Sequence, residues 1–349
     1  MHLRNKRELF LIALVLLVGT WLSAQNSAAP NQPSTGAATA APQQSGGTIQ
    51  PPTTQGQEPA SQHDDVYVFK KEVDEVTLHA TVVDDHNRLI TNLTRGDFDV
   101  LEDGKPQKIT SFHNEDIPVA MGIVIDNSGS MREKRPQVNA AALNLVRSSN
   151  PQDKVFVVNF NEEYFLDQDY TGSIPKLKDA LERIESRGGT ALYDAVVASA
   201  DHLKKSGDLE KKVLLVVTDG EDNASRESLE QALRRLQEQN GPTIYTIGLL
   251  SEEHGKRARR ALREMAEDTG GVAFFPKDLN EVEAITQQIA HDIRNQYSIG
   301  YKPSTPQSAG GYRTVKVEAQ AKGYKKLQVR TRSGYYAGQQ HASAQASGQ

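Results

Sequence analysis

The chain lacks cysteine altogether and has few aromatic residues, which make up 6% of its 349 residues. Without cysteine it can form no disulfide, no thiolate metal site and no cysteine nucleophile. It also lacks a basic excess, because 40 Lys and Arg stand against 45 Asp and Glu. We therefore expect no nucleic-acid partner. The hydrophobic share of 37% is low for a fully folded chain, which indicates that part of it is exposed or disordered.

The first 24 residues have the pattern of a secretory signal peptide. Arg4, Lys6 and Arg7 precede an apolar stretch from Leu9 to Leu22, after which the sequence turns polar. A stretch this short is more typical of a signal peptide than of a membrane span. We expect an exported protein (periplasmic, cell-surface or secreted) with cleavage near Ala24. The alternative is an uncleaved N-terminal anchor, which would be its one link to a membrane.

Residues 25–63 are rich in Gln, Pro, Thr, Ser, Ala and Gly and contain almost no large apolar side chain. Such a segment cannot bury enough surface to offset its ordering entropy. We interpret it as a disordered linker, and residues 338–349 as a disordered tail for the same reason.

Two segments, 64–115 and 296–337, show the period-two alternation of short strands. Val66 and Val68 begin the first segment, and Asp103-Gly104 is a hairpin turn signal within it. Each segment is too small to be a comfortable domain alone. We therefore hypothesise that they pair into one β-sandwich-like unit, with the region between them inserted.

The central region, 116–295, alternates strand and helix patterns. Continuous apolar runs at 121–125, 155–160, 213–217, 243–249 and 272–275 predict strands buried on both faces. Helical stripes lie between them, as in Ile174, Leu177, Leu181 and Ile184, which follow a polar segment, YFLDQDY, that suits an antiparallel edge strand. This order predicts an α/β fold with a doubly wound, Rossmann-like, mostly parallel sheet.

Ligands of such sheets bind at the carboxyl ends of the strands, and three loops there carry oxygen ligands. Asp126, Ser128 and Ser130 follow the first central strand, Thr190 follows Gly188-Gly189, and Asp219 follows the strand at 213–217. Alone, D-x-S-x-S is a weak signal, because Asp and Ser after a strand are ordinary helix N-caps. Together, two carboxylates and three hydroxyls suit Mg²⁺ or Mn²⁺, which keeps waters and accepts one outside ligand.

These residues resemble the metal-ion-dependent adhesion site of a von Willebrand factor type A domain. The family pattern is D-x-S-x-S with a distant Thr and a distant Asp, and all five positions are filled here. The resemblance implies a Rossmann-like fold with the ion at the top of the sheet, completed by an acidic residue of a partner protein. The flanking segments GDFDVLEDGKPQKITSF and QYSIGYKP through RSGYY are similar to an acidobacterial group of exported proteins related to this domain.

Other polar residues near these loops receive structural interpretations. We expect Glu221 and Asp222 to form the acidic first turn of the next helix, and Tyr193 and Asp194 to pack and cap. The favoured function is a cation-dependent binding or adhesion module that is not an enzyme. The alternatives are a scaffold of a cell-envelope complex with a dispensable metal site and, more remotely, a metal-assisted hydrolase, although Ser128 has no recognisable His partner.

Overall fold

The computed structural model describes residues 75–114, 116–183, 186–206, 209–250 and 255–338. The predicted signal peptide and linker lie outside these ranges, and so do residues 339–349 of the predicted tail, Val66, Val68 and Ile184. In the described ranges, no helix is both long enough and apolar enough to cross a bilayer.

The central region contains six strands and six α-helices in alternation. They are β5 (Val119–Asp126), α1 (Arg135–Arg147), β6 (Lys154–Phe160), β7 (Tyr164–Thr171), α2 (Ile174–Glu182), α3 (Leu192–Leu203), β8 (Lys211–Thr218), α4 (Leu229–Leu236), β9 (Thr243–Gly248), α5 (Lys256–Asp268), β10 (Ala273–Phe274) and α6 (Glu281–Arg294).

These six strands form one sheet in the order β10-β9-β8-β5-β6-β7. Every neighbouring pair is parallel except β6 and β7. Helices α1, α2 and α6 pack in the apolar core on one face, while α3 and α5 pack on the other. The predicted doubly wound fold and the antiparallel edge strand are confirmed. The strand predicted at 272–275 is shorter than expected, since β10 has only two residues.

The middle of this sheet is buried on both faces, which explains its continuous apolar runs. All eight residues of β5 are buried. Gly122 lies in β5 where a side chain does not fit: a Cβ placed there would be 2.4 Å from atoms of both Leu214 and Phe156. The close approach of these neighbours therefore depends on glycine at this position.

The flanking segments form two further sheets. Their strands are β1 (Val76–Asp84), β2 (Phe98–Glu102), β3 (Lys105–Gln107), β4 (Ile109–His113), β11 (Tyr297–Tyr301), β12 (Gly311–Ala319), β13 (Leu327–Arg330) and β14 (Gly334–Ala337). The sheet orders are β13-β1-β11-β4 and β14-β12-β2-β3. Strand β11 pairs with β1 and β4, and β12 pairs with β2. Strands of the two segments thus pair with each other, and Asp103-Gly104 forms the turn between β2 and β3.

A buried ionic network joins the two β sheets. The Glu102 carboxylate accepts hydrogen bonds from the hydroxyls of Tyr301 (2.6 Å) and Tyr335 (2.8 Å), and it pairs with Arg313 at 3.3 Å. The side chains of Glu102 and Arg313 are 2% and 3% exposed. Because these residues come from both segments of the chain, the network fixes one segment against the other.

Arginine side chains of the β unit fasten it to the α/β domain. Arg332, which is buried, donates to main-chain carbonyls of Leu236, the last residue of α4, and of Gln239 and Gly241 after it. Arg330 pairs with Asp292 of α6 at 3.3 Å. These contacts lie beyond the amino ends of the central strands, away from the carboxyl ends.

Candidate metal centre

The carboxyl edge of the central sheet brings two aspartates together at the ends of adjacent strands. Asp126 is the last residue of β5, and Asp219 directly follows β8, which pairs with β5. Both carboxylates are out of contact with solvent, since Asp126 and the side chain of Asp219 are each 0% exposed. Two carboxylates buried so close to each other need positive charge or hydrogen-bond donors to remain ionised.

Local donors supply part of that need at Asp126. The main-chain N–H of Ser128 donates to its Oδ1 at 2.7 Å, and the Thr218 hydroxyl donates to its Oδ2 at 2.5 Å. Burial raises the pKa of Asp126, the two donors act against that rise, and the charge of Asp219 adds to it. The Asp126 carboxylate therefore links the turn after β5 to the end of the neighbouring strand β8.

The two serines connect this turn to Asp219. Ser128 Oγ lies 3.2 Å from Ser130 Oγ, and Ser130 Oγ donates to Asp219 Oδ1 at 2.8 Å. The other carboxylate oxygen of Asp219 pairs with the ammonium of Lys134, whose side chain is 30% exposed. Ser128 is the N-cap residue of the short turn that follows, but its side chain makes no capping hydrogen bond.

Thr190 is placed by the third loop. Its N–H donates to Asn223 Oδ1 at 2.8 Å, and its carbonyl accepts from the N–H groups of Asn223 and Ala224. A Cβ placed on Gly220 would lie 3.5 Å from Thr190 Oγ1, so the hydroxyl is next to the residue that follows Asp219.

Glycine joins the third loop to the first. The carbonyl of Gly188 accepts from the N–H of Gly129 at 3.3 Å. Gly188 has a φ of +75°, a left-handed conformation that suits glycine. The structure therefore places all five predicted residues in three loops that contact one another at one edge of the sheet.

The donor set of these loops suits a small hard cation. Its ligand atoms are all oxygens, from two carboxylates and three hydroxyls, and only the carboxylates are charged. The strand and helix pattern and the motif did not predict that Thr218 and Lys134 contact the two aspartates. Both had a weak signal in the sequence, because Thr218 directly precedes Asp219 and Lys134 lies four residues, about one helical turn, after Ser130.

Four further polar residues lie near the site, and two of them, Glu221 and Asp222, differ from expectation. The Asp222 carboxylate accepts from the Tyr193 N–H (3.0 Å) and the Ser225 hydroxyl (2.5 Å), and Asp194 accepts from the N–H groups of Arg226 and Glu227. Tyr193 and Asp194 thus take part in packing and capping as predicted. The prediction that Glu221 and Asp222 form the first turn of the next helix is wrong.

Helix α4 begins only at Leu229, after a capping box between Ser228 and Gln231. This box gives the helix its own start signal, which lies later than the acidic pair. Glu221 and Asp222 therefore belong to the loop that leaves β8.

A second acidic group lies in the β unit, at the end of β1. Ligand atoms of Asp84, Asp85 and His86 lie within 4.8 Å of one another. The Asp84 carboxylate, however, accepts from the N–H groups of His86 and Arg88 and pairs with the Arg88 side chain at 2.6 Å. The Arg88 hydrogen bond is the main cause that lowers the pKa of Asp84 to about 2. These contacts form a closed turn in which the positive charge beside Asp84 is the guanidinium of Arg88.

Comparison with known proteins agrees with this architecture. The model of the von Willebrand factor type A domain matches residues 121–288. The chain is similar to an uncharacterized protein of Synechocystis sp., with 23% identity over 139 residues that cover 39% of this chain and 33% of the relative. The match thus spans about a third of that protein's length.

Among solved structures, one similar chain is a von Willebrand factor type A protein from Catenulispora acidiphila (14% identity, TM-score 0.44, covering 77% of this chain and 74% of that one). Another is the vWF domain of the type V pili tip protein Mfa5 from Porphyromonas gingivalis (14% identity, TM-score 0.44, covering 51% and 95%). These likenesses are too distant to transfer a function. The matched residues span the doubly wound sheet, so residues 121–288 of this chain form a von Willebrand factor type A domain.

Proposed function

We propose that this protein is an exported, non-enzymatic binding protein, in which a divalent cation at the carboxyl edge of the central sheet recruits an acidic group of a partner protein. The observation that supports this most directly is the continuous row of oxygens from Ser128 through Ser130 to Asp219, with Asp126 in the same set of loops. Such a row has the chemistry and the spacing to surround one hard cation.

In this proposal Asp126, Ser128, Ser130, Thr190 and Asp219 hold Mg²⁺ or Mn²⁺, directly or through water. The bound ion supplies a positive centre that takes a carboxylate as its outside ligand. The side chains hold that centre electrophilic, because three of the five are neutral hydroxyls that leave much of its charge uncompensated. Asp126 keeps a fixed orientation through its bonds from Ser128 and Thr218.

We propose further that the site does not catalyse hydrolysis. A hydrolase needs a base within reach of an attacking water. The loops at 126–134, 187–194 and 218–228 contain no histidine. His254 lies outside the described residues. The Asp126 carboxylate accepts a hydrogen bond from Thr218, and the Asp219 carboxylate pairs with Lys134.

A scaffold role in the cell envelope is the second candidate, and one contact favours it. Lys134 already pairs with Asp219, so the buried carboxylate has a positive partner without any ion. If this pair suffices for the fold, the metal is dispensable and the β unit and linker carry the function.

Cation titration and partner capture together separate these two candidates. We expect calorimetric titration of the full-length protein with MgCl₂ and MnCl₂ to show one binding site, which Asp126→Ala and Asp219→Ala abolish. The matched control is Asp169→Ala, which removes an exposed aspartate paired with His202 at 2.8 Å on the same domain. Circular dichroism checks that each variant is folded.

The tagged protein is then exposed to envelope extract in Mg²⁺ and in EDTA. A protein retained only with the cation, and lost with Asp126→Ala, supports metal-bridged binding. An identical retained set in both conditions contradicts it and supports the scaffold role.

A further inference from the structure

An open cavity of about 450 Å³ lies at the junction between the β unit and the α/β domain. Thr77 and His79 of β1 line it from the β unit, together with Arg332, which lies between β13 and β14. The α/β domain lines it with the start of β8 and with the loop that follows α4. Seven steps of about 3.3 Å along β8 separate Lys212 in this lining from Asp219. The cavity is therefore about 23 Å away from the proposed cation site.

Arg332 brings a buried positive charge to this cavity, and no carboxylate among the described residues forms an ion pair with it. Its residue is 6% exposed, and its guanidinium donates to the carbonyls of Leu236 at 3.4 Å and Gly241 at 3.3 Å, and to that of Gln239. Carbonyl dipoles offer no counter-charge, whereas buried charges are ordinarily paired. Burial lowers the pKa of Arg332 to about 10, which indicates that its charge is incompletely compensated.

Lys212 is a second cation of the lining, and it too forms no ion pair with a carboxylate in the described ranges. Its side chain is half-buried. Burial lowers the pKa of Lys212, and the charge of Lys204 adds to that effect. Glu210, which is exposed, is the one carboxylate residue that the structure describes in the lining. The lining therefore carries an excess of positive charge.

The imidazole of His79 experiences this positive charge. Its Nδ1 lies 3.2 Å from Ser298 Oγ, which orients the ring. The pKa of His79 is lowered to about 3, first by burial and then by the charges of Lys211 and Arg332. The ring is therefore neutral at neutral pH and adds no charge of its own. What the junction lacks is negative charge, and an anion in the cavity would supply it.

We propose that this cavity binds a tetrahedral oxyanion of the phosphate class, held between Arg332 of the β unit and Lys212 of the α/β domain. Both side-chain types bind phosphate, and a dianion offsets their two charges. The hydroxyls of Thr77 and Thr243 and the amide of Asn240 belong to the same lining and supply neutral donors. The volume leaves room for a substituent, so inorganic phosphate and a small phosphate ester both fit. The bound anion joins the β unit to the α/β domain.

The test is calorimetric titration of the full-length protein with sodium phosphate, glycerol phosphate and sodium acetate at constant ionic strength. EDTA is present throughout, so that phosphate cannot bind as the outside ligand of a cation at the other end of the sheet. The variants are Arg332→Met and Lys212→Met, and the second preserves the test if the first misfolds, which circular dichroism detects. The matched control is Lys326→Met, which removes an exposed lysine from a neighbouring cavity that Arg332 also lines.

We expect one phosphate per chain, bound more tightly than acetate. Lys212→Met should weaken phosphate binding about tenfold, because it removes one charged donor, and a folded Arg332→Met should abolish it, whereas Lys326→Met should bind as the wild type does. Tighter binding of glycerol phosphate than of phosphate identifies an ester as the ligand, and the reverse order identifies free phosphate. The proposal is overturned if the wild type does not bind phosphate, or binds acetate equally well. It is also overturned if Lys326→Met weakens binding and Lys212→Met does not, because the anion then occupies the neighbouring cavity.

Discussion

Lys134 provides the sharpest test of how the cation site works. Its ammonium pairs with Asp219, a carboxylate that the proposed ion also needs. The bound ion and the ammonium therefore compete for the same negative charge. We expect Lys134→Met, which removes the charge and keeps most of the side-chain volume, to raise the affinity for Mg²⁺.

The expected magnitude follows from the burial of the pair. Two exposed charges stabilise each other by about 0.2–1 kcal/mol, whereas two unit charges 4 Å apart near a protein surface attract by about 4 kcal/mol. This pair lies between these limits, because the Asp219 side chain is fully buried and that of Lys134 is 30% exposed. Its loss of about 1–2 kcal/mol corresponds to a gain in Mg²⁺ affinity of about tenfold. Removal of a positive charge beside a divalent ion acts in the same direction.

Calorimetric titration with MgCl₂ measures this gain directly. The matched control is Lys178→Met, which breaks an exposed ion pair with Glu182 in the same domain, at 3.9 Å and with both side chains more than half exposed. We expect the Mg²⁺ affinity of the control to stay at the wild-type value. An unchanged or weaker affinity in Lys134→Met would refute the reasoning, because it would mean that the ion does not use Asp219 or that the ammonium supports the loaded site.

Three further predictions concern stability and are checked by chemical denaturation. Glu102→Ala should lower the free energy of unfolding by about 3–5 kcal/mol, because it leaves the Arg313 guanidinium buried without its charged partner; a loss below about 1 kcal/mol, typical of a simple hydrogen bond, would contradict this. Gly122→Ala should cost about 1–3 kcal/mol by overpacking, whereas Gly96→Ala, where a Cβ meets nothing within 4 Å, should cost less; equal losses would refute the steric account. Burial, together with the charges of Lys211 and Arg332, lowers the pKa of His79 from 6.5 to about 3. Below pH 6.5 the unfolded chain therefore binds a proton on His79, whereas the folded protein does not. Wild type should therefore lose about 2–3 kcal/mol between pH 6.5 and 4.5 relative to His79→Gln, and parallel pH profiles would exclude this role for His79.

The sequence predicted the central fold well because each strand carries its own signal. A strand covered on both faces must be apolar at every position, as β5 is, and no other element of the domain has to be known to see this. Strand β14 escaped prediction for the opposite reason. It has four residues, begins at Gly334, and exists because Thr314 and its neighbours on β12 offer it a partner.

The candidate site likewise has a part that the sequence predicts, the ligands, and a part that it does not, the contacts around them. The positions of Asp126, Ser128 and Asp219 follow from local sequence, because the carboxyl ends of parallel strands share one edge. The hydrogen bond from Thr218 to Asp126 and the ion pair of Lys134 depend on how closely two loops approach, and spacing along the chain does not encode that distance. A pattern can therefore name the ligands of a cation more readily than the groups that compete with it.

The position of the β unit gives the proposed site its orientation. The chain enters the α/β domain at Val119 and leaves it after Arg294, both at the end where Arg332 holds the β unit to the loop after α4. Asp126 lies at the other end of β5, and the seven steps from Val119, at about 3.3 Å each, put about 23 Å between the two ends. The proposed cation edge therefore lies at the end of the α/β domain opposite to the β unit, where a partner can approach without crossing the β unit.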